Sequence, residues 1–131
     1  MQKIFIMKKL IPHLTVKNVK ETIHFYSEKL GFKADFVQKD SNGNDNFAIL
    51  KNGKVELMIG YTTSNLKKLH GFSEHSASAI FYIEMPDPDA LYNKIKDDVN
   101  IVRHITDTQW NTREFWIEDC NNYYLSFFKN L

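Results

Sequence analysis

The sequence predicts an α+β fold made of two β-α-β-β-β modules in one domain spanning residues 1–131. Three observations carry this. The order strand, helix, strand, strand, strand can be read twice. Each helix opens on an Asn or Asp placed to cap it. A polar connector, residues 61–76, separates the halves, so the modules run from about 8 to 60 and from 77 to 129.

In the first module, Leu10 to Val16 is short, apolar and β-branched, a strand. Asn18 follows as a helix N-cap, with Glu21 three residues on as a capping box requires. Val19, Ile23, Tyr26 and Leu30 then recur at spacings of 4, 3 and 4, one face of a helix. Gly31 ends it, because a glycine at C′ enters the left-handed region without a Cβ clash. Phe32 to Gln38, Phe47 to Lys51 and Val55 to Ile59 read as strands, turned at Asn42-Gly43 and Asn52-Gly53. The second module repeats the order. Ala79 to Met85 is a strand, and Asp87 caps a helix with Pro88 at its first position and Leu91 and Ile95 on its apolar face. Asn100 to Ile105, Thr112 to Glu118 and Tyr123 to Phe128 are strands, the last two joined at Asp119-Cys120-Asn121-Asn122. A shift of 66 residues lays Val19 on Met85 and Phe25-Tyr26 on Leu91-Tyr92, so the repeat lies in element order more than in residue identity.

Composition narrows the function. Of 131 residues, 43% are hydrophobic and 25% charged, which suits a packed core. Ten Phe, six Tyr and two Trp supply bulky side chains for a core or a pocket. Seventeen basic against sixteen acidic residues give a formal charge of +1, so no basic footprint points to nucleic acid or an anionic membrane. No apolar stretch approaches the roughly 20 residues of a membrane span, and the opening residues lack a secretory leader's apolar core, so a cytoplasmic protein is expected. One cysteine, Cys120, excludes an intramolecular disulfide, and no local His or cation lowers its pKa toward a nucleophile. No Gly-x-Ser-x-Gly, phosphate loop or His-Glu-x-x-His occurs.

Two stretches carry a resemblance. The first is Val16-Lys17-Asn18-Val19 followed by Phe25-Tyr26-Ser27-Glu28-Lys29-Leu30-Gly31-Phe32. The second is Trp110-Asn111-Thr112-Arg113-Glu114-Phe115 followed by Asp119-Cys120-Asn121-Asn122-Tyr123. Together they resemble the vicinal oxygen chelate superfamily, which includes glyoxalase I, extradiol dioxygenases and bleomycin-resistance-type binding proteins. The likeness covers about residues 8 to 129. It implies curved mixed sheets around a cleft and a homodimer with the cleft near the interface.

Metal-dependent members of that superfamily place His or Glu on four strands. Carried over one by one, those positions fall on Ile11, Glu56, Ile80 and Ser126. Only Glu56 can ligate, so the resemblance is closest to the non-metal, bleomycin-resistance-like branch, and no metal or other cofactor is expected. His13, two residues past Ile11 and hence on the same strand face, could with Glu56 and Glu84 or Tyr82 form a displaced site, which keeps a metal-dependent lyase, isomerase or dioxygenase open. Otherwise His13 is a hydrogen-bonding group in a pocket. His24, His70 and His75 read as solvated, and His104 has no partner by spacing. The resemblance to binding members suggests that Trp110 comes near the cleft, with Arg113 in the same element. Phe115 and Trp116 alternate, so one points inward and one outward. Trp110, Arg113, Trp116, His13, Glu56, Phe47, Phe81, Met58 and Ser126 are the expected pocket residues. An aromatic cleft with a few polar anchors suits a small planar or cationic ligand. The near-neutral charge departs from the acidic clefts that hold cationic bleomycin.

Overall fold

The computed structural model describes residues 5–61 and 79–131. The first module comprises β1 (His13–Val16), α1 (Val19–Leu30), β2 (Lys33–Lys39), β3 (Asp45–Asn52) and β4 (Val55–Tyr61). The second comprises β5 (Ile80–Glu84), α2 (Pro88–Ile95), β6 (Asn100–Asp107), β7 (Thr112–Glu118) and β8 (Tyr124–Asn130). Each module forms a four-stranded mixed sheet, ordered β1-β4-β3-β2 and β5-β8-β7-β6. In both, the first strand runs parallel to the last and the remaining pairs are antiparallel. The expected α+β architecture is therefore present. Most of the connector, with His70 and His75, lies outside the described residues.

Local chemistry sets the helix ends. Asn18 Oδ1 accepts from the Glu21 amide at 2.9 Å, and Gly31 sits at φ 71°, where a side chain would be strained. Asp87 Oδ1 accepts from the Ala90 amide at 3.1 Å, with Pro88 in the first turn. The first strand begins at His13, three residues later than the sequence suggests. Pro12 has no amide to donate, and Leu10 stays in solvent; Pro12 contributes only its carbonyl, to the Met58 amide.

One face of each sheet is buried. Leu14, Val16, Leu57, Ile59, Ala48 and Leu50 share the inner face of the first sheet with Val19, Tyr26 and Leu30 of α1. Phe115, Ile117, Leu125 and Phe127 supply the inner face of the second, under Ile95 and Tyr92 of α2. All of them belong to one hydrophobic cluster.

Polar bonds tie the modules together within that cluster. The Tyr26 hydroxyl, fully buried in α1, donates to Asp119 Oδ2 at 2.6 Å in the β7–β8 turn. Asp119 Oδ1 accepts from the Asn121 and Tyr123 amides at 2.8 and 2.9 Å. Asn121 Nδ2 donates to Thr22 Oγ1 at 2.9 Å. The Tyr123 hydroxyl accepts from the Thr15 amide at 3.1 Å and donates to the Thr15 carbonyl at 2.9 Å. Thr15 lies on the sheet edge, where its backbone groups have no ladder partner, so this tyrosine satisfies them from the other module.

The Tyr26–Asp119 bond is open to test. Replacing Tyr26 with Phe leaves the ring in place and removes one donor from a buried carboxylate. A loss of about 1–3 kcal/mol of stability is expected by urea unfolding. A change within error would show that the bond does not hold the modules.

Candidate functional site

The sheet faces turned away from the core carry the site residues. On the first sheet, His13, Met58, Ile49 and Phe36 form one row across β1, β4, β3 and β2. Phe47 pairs with Gly60 in the next row. A Cβ at Gly60 would lie 3.1 Å from His13 Nε2, so glycine leaves the imidazole room to reach Phe47, on which it stacks at a centroid distance of 6.0 Å. Phe36 closes on Phe47 from the other side at 6.3 Å and is half-exposed.

On the second sheet, Tyr82, Ser126, Trp116 and Arg103 form one row across β5, β8, β7 and β6. Glu114 lies two residues before Trp116 and so faces the same way. It is 0% exposed, yet charged. Its Oε1 accepts from Trp110 Nε1 at 2.9 Å and from Thr112 Oγ1 at 2.6 Å. Its Oε2 accepts from Trp116 Nε1 at 2.5 Å and from the Tyr82 hydroxyl at 3.3 Å. Desolvation pushes the Glu114 pKa up, but the four donors outweigh it and hold the group below its ordinary value. The carboxylate thus fixes both indoles and Tyr82 by their polar edges. Trp110, in the turn before β7, remains 53% exposed and Tyr82 47%. Phe128 packs edge-on to Tyr82 at 5.7 Å. The Arg103 guanidinium lies over both indoles, 5.0 Å from the Trp116 centroid and 5.5 Å from that of Trp110.

A groove of about 760 Å³ runs between the modules, lined by Pro12, Val55 and Glu56 on one side and Ile80, Phe81, Tyr82 and Glu84 on the other. Tyr82 belongs both to this groove and to the aromatic face. A crevice of about 790 Å³ beside α1 is lined instead mostly by charged and polar side chains such as Lys20, Glu21, Glu28 and Asp45, with the His24 imidazole but no described Phe, Tyr or Trp.

The expected pocket residues therefore divide. Trp110 and Trp116 converge on Glu114, while His13, Met58 and Phe47 share the outer face of the first sheet. Ser126 lies between Tyr82 and Trp116 but is 0% exposed, its hydroxyl without a hydrogen-bond partner among the described residues. Phe81 pairs with buried Leu125, packs against the core and reaches only the groove. Arg113 is on the inner side of β7. Its guanidinium forks onto both oxygens of Asp89 at 2.8 and 2.7 Å and reaches Asp107 at 3.1 Å, so it ties α2 to the sheet and is not joined to Trp110. Glu114, Tyr82 and Arg103 are the additions the structure makes. Period-two alternation from Trp116 marks Glu114, but nothing in the spacing marks Arg103.

The donors available for a metal do not gather. Glu56 pairs with Lys9 and, at 3.7 Å, with Lys51, which hold its carboxyl below the usual range against desolvation. No group of three His, Cys, Asp or Glu side chains suited to a metal ion occurs among the described residues. Ile80 and Ser126 share the outer face of the second sheet, where a carboxylate or imidazole would be needed. The described residues do not fit a metal centre of the superfamily's kind. Cys120 is equally unsuited to nucleophilic work, since desolvation and then the Asp119 carboxylate push its thiol up to about 11.

Comparison with known proteins follows this geometry. Residues 9–127 match the family profile of the Glyoxalase/Bleomycin resistance protein/Dioxygenase superfamily. A glyoxalase-related enzyme from Clostridium phytofermentans superimposes with a TM-score of 0.75 at 17% identity, covering 99% of this chain and 100% of that one. The bleomycin-binding protein of the bleomycin producer Streptomyces verticillus, solved with copper(II)-bleomycin, gives 0.66 at 22% identity, covering 95% and 97%. TioX from Micromonospora sp. ML1 gives 0.73 at 16% identity, covering 95% and 97%. A search of curated proteins finds no match.

Glu114 supplies a pH test. A lowered carboxylate pKa stabilises the fold fully above the ordinary value of 4.5, and that contribution is lost as pH falls through the folded value. Glu114→Gln sets an amide N–H against donors. It should cost about 1–3 kcal/mol at neutral pH. The gap from wild type should narrow as pH falls below 4.5, read as melting temperature against pH. A gap independent of pH would show that Glu114 is not held as a carboxylate.

Proposed function

The chain belongs to the Glyoxalase/Bleomycin resistance protein/Dioxygenase superfamily, and within it we propose that this protein binds or sequesters a small planar molecule on its aromatic face without a metal. One observation carries the reading: Trp110 and Tyr82, their polar edges consumed by a buried carboxylate that also holds Trp116, keep about half of their surface toward solvent, 53% and 47%. A core tryptophan has no such exposure. Fixed aromatic surface with little rotamer freedom left to lose is a good receptor for another ring. The superfamily relative from Streptomyces verticillus is described as binding bleomycin, which supports a binding role for this fold. The alternative, a metal-dependent lyase, isomerase or dioxygenase with a displaced site, finds no ligand cluster among the described residues, and its carboxylate Glu56 is already engaged by Lys9 and Lys51.

The same reading includes a two-fold homodimer. Phe36, half-exposed on the outer face of the first sheet, leaves ring surface away from the Trp110 and Tyr82 face that a second copy would cover. It also places the protein in the cytoplasm, where its single thiol stays reduced; no helix among the described residues is long and apolar enough to cross a membrane.

A screen of planar aromatic compounds should yield at least one that quenches tryptophan fluorescence. Trp110→Phe leaves Trp116 as the only indole and assigns the signal. Trp110→Ala should weaken binding by about 1–3 kcal/mol, while a half-exposed ring should cost less stability than a buried one. A large fall in melting temperature without any change in affinity would remove Trp110 from the site. Metal analysis of the purified protein should find no stoichiometric divalent ion, and one tightly bound equivalent would favour the alternative. Sedimentation should show a dimer at micromolar concentration, and a 15.4 kDa species alone would remove that part of the reading.

A further inference from the structure

Arg103 is the charged group of the aromatic face whose donors no described residue takes. Its guanidinium lies over Trp110 and Trp116. Among the described residues no carboxylate, carbonyl or hydroxyl accepts a hydrogen bond from it. Arg113, on the adjacent strand, shows the contrast: its fork is filled by Asp89 and Asp107. An arginine resting on rings uses the face of its planar cation and keeps its in-plane N–H donors for another partner. Glu114 cannot be that partner by hydrogen bonding, because its two oxygens already accept from four groups. Beside the filled carboxylate of Glu114, the face therefore offers a held donor fork that no described residue fills; Glu84, on the same face, lies at the far end of the row by the groove.

We infer that this face takes a planar aromatic carboxylate, with Arg103 forking onto the ligand's two oxygens and the ligand's rings lying along the row toward Tyr82. The inference rests on the binding role proposed above and names its ligand class. A carboxylate presents two coplanar acceptors at the spacing of the guanidinium donors, the geometry in which arginine is most selective. The row from Arg103 through Trp116 and Ser126 to Tyr82 crosses three strand spacings, about 14 Å. That length accommodates one or two fused rings behind the carboxylate and ends at the groove between the modules. A cationic ligand on the same row meets the arginine's charge. The indoles hold Arg103 in position before any ligand arrives, so little order has to be imposed on binding.

The test titrates ¹⁵N-labelled protein with 2-naphthoate, 2-naphthamide and 2-naphthylmethylammonium, following the indole Nε–H signals of Trp110 and Trp116 and the Nε–H of Arg103. Naphthoate should shift all three signals and bind at least tenfold more tightly than the amide, with the ammonium compound weakest. Arg103→Gln should bring naphthoate and naphthamide to equal affinity. Arg103→Lys, which keeps the charge but not the fork, should lose most of the preference, and with the wild-type comparison it decides the matter should the glutamine variant fail to fold. Equal binding of naphthoate and naphthamide by the wild type overturns the inference and leaves the binding role standing. So does a carboxylate preference that survives in Arg103→Gln, or a variant that only lowers melting temperature, which would make Arg103 a counter-charge to Glu114. Absence of any indole shift with all three compounds removes the binding role as well.

Discussion

Asp119 is a carboxylate taken out of water, and the join between the modules is built around its oxygens. Two amides of its own turn hold Oδ1, and the Tyr26 hydroxyl, from the centre of α1, holds Oδ2. That bond fixes the β7–β8 turn against the first helix, and with it the register in which Tyr123 reaches the edge of β1. Desolvation dominates here: it raises Asp119 in spite of its donors, and it raises Tyr26 beside it. The pair is held by geometry inside one apolar cluster and gains little from charge, so its value to the fold is alignment.

Glu114 is also shut off from solvent, yet desolvation weighs less on it and it behaves in the opposite way. Four side-chain donors, two of them indole N–H groups, outweigh desolvation and keep it charged. The difference follows from what surrounds each group. Asp119 faces one hydroxyl and its own turn, in the core between the modules. Glu114 faces a cage of amphipathic rings on the open side of β7. A charged group placed there orients aromatic surface, which an apolar residue could pack against but not orient. The inner face of β7 does structural work through Phe115 and Arg113, while the outer face is arranged around Glu114, and alternation along seven residues separates the two roles.

Much of this was legible in the chain. Asn18, Gly31, Asp87 and Pro88 mark helix ends by local chemistry alone, and the structure bears out each one. Period-two alternation across Thr112–Glu118 separates Phe115 from Trp116, and the last turn sits at the expected asparagines, with Asn122 in the left-handed region. Two motifs in order carried the family. These features depend on a few neighbouring residues, so their energetics are written in the sequence.

What only the tertiary structure decided depends on residues far apart in the chain. The partners of Glu114 come from β5, from the turn before β7 and from β7 itself, and Arg103 reaches the indoles only because β6 pairs with β7. Arg113 stands beside Glu114 in the same motif, yet Asp89, 24 residues upstream on α2, claims it. Glu56 falls where the resemblance alone would expect a metal ligand, yet Lys9 and Lys51 engage it. A side chain's type and its strand face are local properties set by sequence. Which group satisfies it is settled when strands from different parts of the chain come into register, and that choice separates a site residue from a structural one.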